Sequence, residues 1–141
     1  MLELGADLAQ AIREEGEKAY PNECCGFVLG TLREAGGRKA EALIPIDNAR
    51  EAEEQYHRFA IEPEDFMQAE KNARDRNLEI LGFYHSHPDH PARPSDYDRE
   101  QALPFYSCLI VSVEKGKPGV LTSWELAADR SAFTEEEIVW L

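Results

Sequence analysis

Residues 80–98 read Ile80-Leu81-Gly82-Phe83-Tyr84-His85-Ser86-His87-Pro88-Asp89-His90-Pro91-Ala92-Arg93-Pro94-Ser95-Asp96-Tyr97-Asp98. The first five are an apolar, partly aromatic run with the character of a strand, and they lead directly into His85-Ser86-His87-Pro88. Side chains alternate faces along a strand, so His85 and His87 project together while Ser86 points away. Two imidazoles on one face can reach a common metal about 2.0–2.1 Å from each nitrogen, and a catalytic zinc takes three protein ligands plus one open position. Asp98 is the natural third ligand. The proline-rich loop (Pro88, Pro91, Pro94) can fold back and present the first turn of a short helix over Ser95 to Leu103. Ser95 and Asp98 also match a serine-x-x-acid helix start, in which each group caps the other. His-x-His alone is a weak signal, and the case rests on the whole spacing.

Outward from this stretch the chain alternates helices with strands. Leu4, Leu8 and Ile12 are spaced for one face of an N-terminal helix that ends at Tyr20-Pro21, because a residue before proline is pushed out of helical geometry. Cys24 to Gly30 is a buried strand, Gly36-Gly37 a turn, and Lys39 to Ile46 its hairpin partner. Asp47 to Tyr56 is polar loop and a candidate gate over the site, followed by a short strand, Arg58 to Ile61. Pro63, Glu64 and Asp65 then open a second helix whose inner face carries Phe66, Ala69, Ala73 and Leu78. Ser107 to Val113 is a strongly apolar strand, Lys115 to Gly119 a turn, and Val120 to Leu126 the returning strand. The pattern predicts an α+β fold with a largely antiparallel central sheet flanked by helices.

Composition narrows the function. The chain has 141 residues, 43% hydrophobic and 30% charged, which suits a single domain over 1–141. Fifteen Lys and Arg against 28 Asp and Glu leave a net charge of −13, which repels phosphate backbones and argues against nucleic acid as a partner. The longest apolar runs fall short of the roughly 18 residues of a membrane-spanning helix, and the N-terminus lacks the pattern of a signal peptide. Three cysteines, two of them adjacent (Cys24, Cys25), fit reduced thiols in the cytoplasm and packing roles. There is no C-x-x-C. The His-x-Glu and Pro-Cys-x-x-Cys pair of a nucleobase deaminase is also missing. His57 is expected to border the cleft and His90 to face solvent from its loop.

The spacing His85-x-His87-x7-Ser95-x2-Asp98 resembles the signature of the JAMM/MPN+ (Mov34/PAD1-like) zinc metalloprotease family, which also carries a glutamate upstream. Glu23, just before an apolar strand, stands where the family places that glutamate. The resemblance implies the family's cytidine-deaminase-like architecture and one catalytic Zn2+ held by His85, His87 and Asp98, with water in the fourth position. It also implies that Glu23 acts as general base and that Ser95 donates to the oxyanion. The short chain and Tyr84 to Pro91 are similar to small prokaryote-type members. These imply cleavage after the glycine-rich C-terminal tail of a ubiquitin-like or sulfur-carrier protein, releasing an amino acid such as cysteine. Two alternatives stand beside it: removal of a ubiquitin-like modifier from lysine, and a non-catalytic scaffold, although relatives of that kind lose the ligands that this sequence keeps.

Overall fold

In a computed structural model, which describes residues 1–55 and 60–141, the apolar stripe at the N-terminus divides between two elements. Leu2–Leu4 forms a short strand (β1) and Ala6–Ala19 a helix (α1) that begins after Gly5. Leu4 is therefore not part of the helical face; it is fully buried in the sheet, and Ala9, Ile12 and Gly16 make the buried face of α1. A strand of three residues is too short to show an alternation that would separate it from the helix that follows. As expected, α1 stops at Tyr20-Pro21, with Tyr20 extended.

The remaining strands are Cys25–Leu32 (β2), Arg38–Ile46 (β3), Glu79–Pro88 (β4), Ser107–Glu114 (β5), Lys117–Leu126 (β6), Phe133–Glu136 (β7) and Ile138–Trp140 (β8). The helices are Pro63–Asp75 (α2), which starts on Pro63 with Glu64 and Asp65 in its first turn, and Asp96–Gln101 (α3). Ala60 and Ile61 are not in a strand, and the rest of the strand expected over 58–61 lies outside the described residues, as does His57. The sheet order is β7-β6-β5-β4-β2-β3-β1-β8. The β3-β2-β4 and β5-β6-β7 pairings are antiparallel, in keeping with the largely antiparallel sheet expected. The β2–β3 and β5–β6 hairpins are legible in the sequence, whereas the β2–β4 and β6–β7 pairings are not. Strand β5 runs parallel to β4 because α3 carries the chain back between them, and β1 is parallel to both β3 and β8.

Strands β7 and β8 lie at opposite ends of this order, yet they are consecutive in the chain and separated only by Glu137. The sheet therefore curls round until its two edges meet, with α1 on its concave side. Arg13 of α1 reaches both flanks, donating to the Gly119 carbonyl at 3.0 Å and stacking over Trp140. Leu2, Leu4, Ile12, Val28, Leu81, Leu109, Val111 and Val113 fill that side of the core. On the other side α2 packs Ala69 and Ala73 against Phe27 and Leu29. Phe27 there meets the rings of Phe66 and Phe83 at 5.8 and 5.4 Å.

A partly buried ionic cluster centred on the buried Glu136 ties the curled sheet together. Arg38, at the start of β3, donates to Ser107 (3.1 Å), Glu125 (3.1 Å), Glu136 (3.0 Å) and the Phe105 carbonyl (2.7 Å). Glu136 also accepts from the hydroxyls of Ser107 and Ser123. Burial opposes its charge, but hydrogen bonds from Glu125, Ser107 and Ser123 together with the Arg38 guanidinium hold its carboxyl below the usual glutamate value. Removing one partner of such a pair leaves the other charge buried and uncompensated. Arg38→Ala should therefore lower stability by about 3 kcal/mol in chemical denaturation at neutral pH. A carboxylate with a depressed pKa stabilises the fold above its unfolded pKa and ceases to as pH falls. The gap between wild type and variant should accordingly narrow below about pH 4.

Candidate metal centre

Strand β4 runs through the histidines, so alternation acts on them as the sequence predicted. Tyr84 and Ser86 face α1, where the Tyr84 hydroxyl binds Glu15 at 2.8 Å and the Ser86 hydroxyl accepts the Cys24 amide at 2.8 Å. His85 and His87 take the opposite face, and both are buried. Cys25 pairs with His85 in the antiparallel β2–β4 register. Continued two residues further, this register sets Glu23 opposite His87. The backbone of Glu23 is fixed from the other side by the loop that follows β3. Its amide donates to the Gln55 carbonyl (2.6 Å), and its carbonyl accepts from the Asn48 side chain (3.3 Å). The described part of the segment read as a possible gate thus buttresses Glu23, with Gln55 in turn donating to the carbonyls of Asn48 and Arg50.

Asp98 arrives from the first turn of α3 through the capping box anticipated in the sequence. The Ser95 hydroxyl accepts the Asp98 amide at 3.0 Å, and Asp98 Oδ2 accepts the Ser95 amide at 2.9 Å. The same Oδ2 lies 3.0 Å from His87 Nε2 and 3.3 Å from His85 Nε2, and the two Nε2 atoms are 3.1 Å apart. Ligand bonds of about 2.0–2.1 Å in a tetrahedron separate neighbouring ligand atoms by about 3.3 Å, close to these spacings. The three buried groups form a set that could hold a metal ion. His87 Nδ1 lies 2.8 Å from the Pro91 carbonyl, so it carries the proton and turns the Nε2 lone pair toward the other two groups.

The electrostatics follow from burial and from this crowding. Burial lowers the pKa of His85, whereas for His87 the bond to Asp98 and its charge outweigh the same effect. Burial also opposes the charge on Asp98, but the two imidazoles hold its carboxyl far below the usual range. Glu23 is 5% exposed, and its Oε1 has no hydrogen-bond partner among the described residues. Burial pushes its carboxyl up to about 8, and the nearby His87 only partly offsets this. An unsatisfied buried carboxylate oxygen is costly, which marks the position as one that a further ligand or solvent completes. Cys24 and Cys25 are buried, and burial pushes both thiols up to about 12, in keeping with packed, unreactive side chains.

Two cavities flank the cluster. One, about 500 Å3, is apolar and lies on the side of His85 and Asp98, between Phe66 and Met67 of α2 and Leu103 and Tyr106 beyond α3. The other, about 350 Å3, is a cleft whose lining residues are mainly of polar type: Glu23, His87, His90, Arg93, Ser95 and Tyr97, together with Pro91. All five site residues singled out in the sequence thus meet at one place, and His90, although exposed as expected, lines the polar cleft. The Pro91 carbonyl and the Asn48–Gln55 support went unread, because backbone acceptors leave no trace in residue type.

His87→Ala and Asp98→Asn should each abolish stoichiometric binding of zinc, measured as metal content after loading and desalting, while wild type retains about one ion per chain. Zinc should also raise the melting temperature of wild type but of neither variant.

Comparison with known proteins bears on the same residues. The family described as prokaryotic homologs of the JAB domain matches residues 5–127. The chain is 32% identical over 133 residues to a desampylase of Haloferax volcanii, covering 91% of this chain and 89% of that one. It is 34% identical over 68 residues, 48% of this chain and 45% of the other, to a probable TtuB-protein conjugate cleaving protease of Thermus thermophilus. The solution structure of a Desulfitobacterium hafniense protein superposes with a TM-score of 0.86 at 32% identity, over 100% of this chain and 93% of that one. The crystal structure of a JAB1/MPN domain protein from Archaeoglobus fulgidus has the same fold, with a TM-score of 0.61 at 18% identity over 100% and 97% of the two chains. With its predicted signature, its mixed sheet and this match over most of its length, the chain belongs to the prokaryotic JAB-domain family.

Proposed function

We propose that this protein is a zinc-dependent hydrolase that cleaves the amide bond after the glycine-rich C-terminal tail of a ubiquitin-like or sulfur-carrier protein, releasing an amino acid such as cysteine. The observation that carries this reading is the convergence of His85, His87 and Asp98 beside a buried, incompletely partnered Glu23. His85 and His87, through Nε2, and Asp98, through Oδ2, would hold the ion. A zinc ion there supplies Lewis acidity and brings the pKa of a coordinated water down toward about 7.

The chain's own residues supply the remaining chemistry. Glu23, set opposite His87 by the β2–β4 register, takes the proton of the attacking water and passes it to the departing amine. Burial, which raises its pKa, favours its holding the proton between the two transfers. Ser95 accepts in the helix cap and keeps its own hydroxyl hydrogen to donate to the oxygen that becomes negative as the carbonyl is attacked. A tail ending in glycines can bring its backbone close to a recessed centre, since it has no side chains to clash.

Removal of a ubiquitin-like modifier from lysine is a second reading, favoured by the names of the desampylase and conjugate-cleaving relatives. A scaffold role would leave a buried, strongly interacting charge cluster without purpose. The free thiols support a reducing, cytoplasmic setting, and no described helix is long and apolar enough to cross a membrane. We take residues 1–141 to work as one catalytic domain.

Incubating zinc-loaded protein with glycine-tailed carriers that bear a C-terminal amino acid, or an isopeptide-linked lysine, and weighing the products identifies the bond cut. Intact substrates throughout would refute the hydrolase reading. Glu23→Gln should retain zinc yet lose most turnover. Ser95→Ala should cut kcat by about 10²–10³ and also cost about 1 kcal/mol of stability, because the same hydroxyl caps α3.

A further inference from the structure

We propose that the polar cleft holding Glu23 and Ser95 takes a leaving group with a free carboxylate, an amino acid joined to the tail through its α-amine, and that Arg93 binds that carboxylate. The inference rests on the hydrolase reading above and deepens it by naming what determines specificity on the leaving-group side.

The two cavities give the active centre two sides lined by different residues, and only one of them carries a basic arginine. Glu23, which hands its proton to the departing amine, lines the polar cleft and not the apolar cavity, so the amine leaves on the polar side. A released amino acid carries its carboxylate one carbon from that amine, within reach of a long side chain at the rim of the cleft. Arg93 is such a side chain. It is exposed, and among the described residues its guanidinium makes no hydrogen bond or ion pair. An arginine free of acidic partners is notable in a chain with 28 acids and a net charge of −13, a surface that otherwise repels a carboxylate. Neither lysine nor arginine is among the residues lining the apolar cavity. A lysine-linked conjugate, whose carboxyl is used up in a peptide bond, has no group for Arg93 to bind.

The loop carrying Arg93 is held as a binding element needs to be. Three consecutive carbonyls before it each accept a side-chain hydrogen bond: His90 from Ser112 (2.6 Å), Pro91 from His87 (2.8 Å) and Ala92 from Thr122 (2.7 Å). The indole of Trp124 adds a second bond to Ala92 (3.3 Å), and Pro94 follows directly. The backbone at Arg93 is thus fixed against the sheet and against a proposed metal ligand, so binding a carboxylate costs only the ordering of one side chain. A guanidinium pairs with a carboxylate through two parallel hydrogen bonds, a geometry that lysine cannot reproduce.

The test uses zinc-loaded protein and one carrier with three tails: Gly-Gly-Ala with a free carboxylate, Gly-Gly-Ala amide, and Gly-Gly linked to a lysine side chain. Wild type should cleave the free-carboxylate tail with kcat/KM at least about tenfold above the amide, the size of one charge-assisted contact. Arg93→Ala should lose that preference, cutting acid and amide at equal kcat/KM, and Arg93→Lys should keep part of it. Equal cleavage of acid and amide by wild type, or an unchanged preference in Arg93→Ala, overturns the proposal and leaves the hydrolase reading intact. Failure to cut any of the three tails overturns both. Calorimetric titration of the tripeptides Gly-Gly-Ala and Gly-Gly-Ala amide onto zinc-loaded Glu23→Gln protein gives a readout without turnover. The acid should bind at least about tenfold more tightly, and adding Arg93→Ala should abolish the difference; equal binding of the two tripeptides counts against Arg93.

Discussion

The antiparallel register of β2 on β4 is the constraint on which the centre depends. With Cys25 across from His85, everything one step beyond is determined: Glu23 falls opposite His87, and Ser86 turns to the other face to bind the Cys24 amide. A slip of one residue would send both imidazoles toward α1 and bring Ser86 to the metal side. Several features guard against such a slip. Leu81 is bulged out of the pairing between Val28 and Leu29, and the Tyr84 ring lies directly over Gly26, where any β-carbon would collide with it. Ser107, opposite Gly82 on β5, sits so close that only glycine fits there. Local close packing at Gly26 and Gly82 thus keeps in place a register whose consequences appear at the other end of the strand.

Four ionisable side chains, Glu23, His85, His87 and Asp98, are each no more than 6% exposed around one point. Burying polar groups is costly unless they are paired, and here the pairing is uneven. Asp98 is over-supplied, with two imidazoles and the Ser95 amide on a single oxygen, while Glu23 keeps an oxygen without a partner among the described residues. Such unevenness is poor design for stability alone and suits the proton-transferring role proposed for Glu23. The fold meets its stability needs elsewhere, in the two apolar layers around α1 and α2 and in the Arg38–Glu136 cluster that closes the sheet.

The centre was far more legible in the sequence than the edges of the fold. His85, His87, Ser95 and Asp98 lie within 14 residues on one strand and one helix start, where alternation and capping are local rules. The strands over Cys25–Leu32, Arg38–Ile46 and Ser107–Glu114 showed as apolar runs for the same reason. By contrast β1, β7 and β8 have three, four and three residues, too few for a period to register. Strands β1 and β8 exist only because partners far away in sequence pair with them, and β7 because it folds back on β6. The closure of the sheet and the parallel β4–β5 pairing share that character, since each is a relation between separated segments. The Pro91 carbonyl behind His87 is only four residues away, but it is a backbone group that residue type does not reveal.

The shared oxygen of Asp98 couples two processes that would otherwise be independent. Helix α3 has only six residues, below the length at which a helix persists unaided, and its first turn is organised by the same carboxylate that completes the donor set. With the proposed cation, occupancy of the centre and order in this short segment would be one equilibrium seen from two ends: part of what binding gains would go into winding the turn, and whatever frays the turn would weaken the grip on the cation. Affinity for the proposed ion would thus depend on helix-forming tendency between Tyr97 and Gln101 as well as on the atoms that touch it.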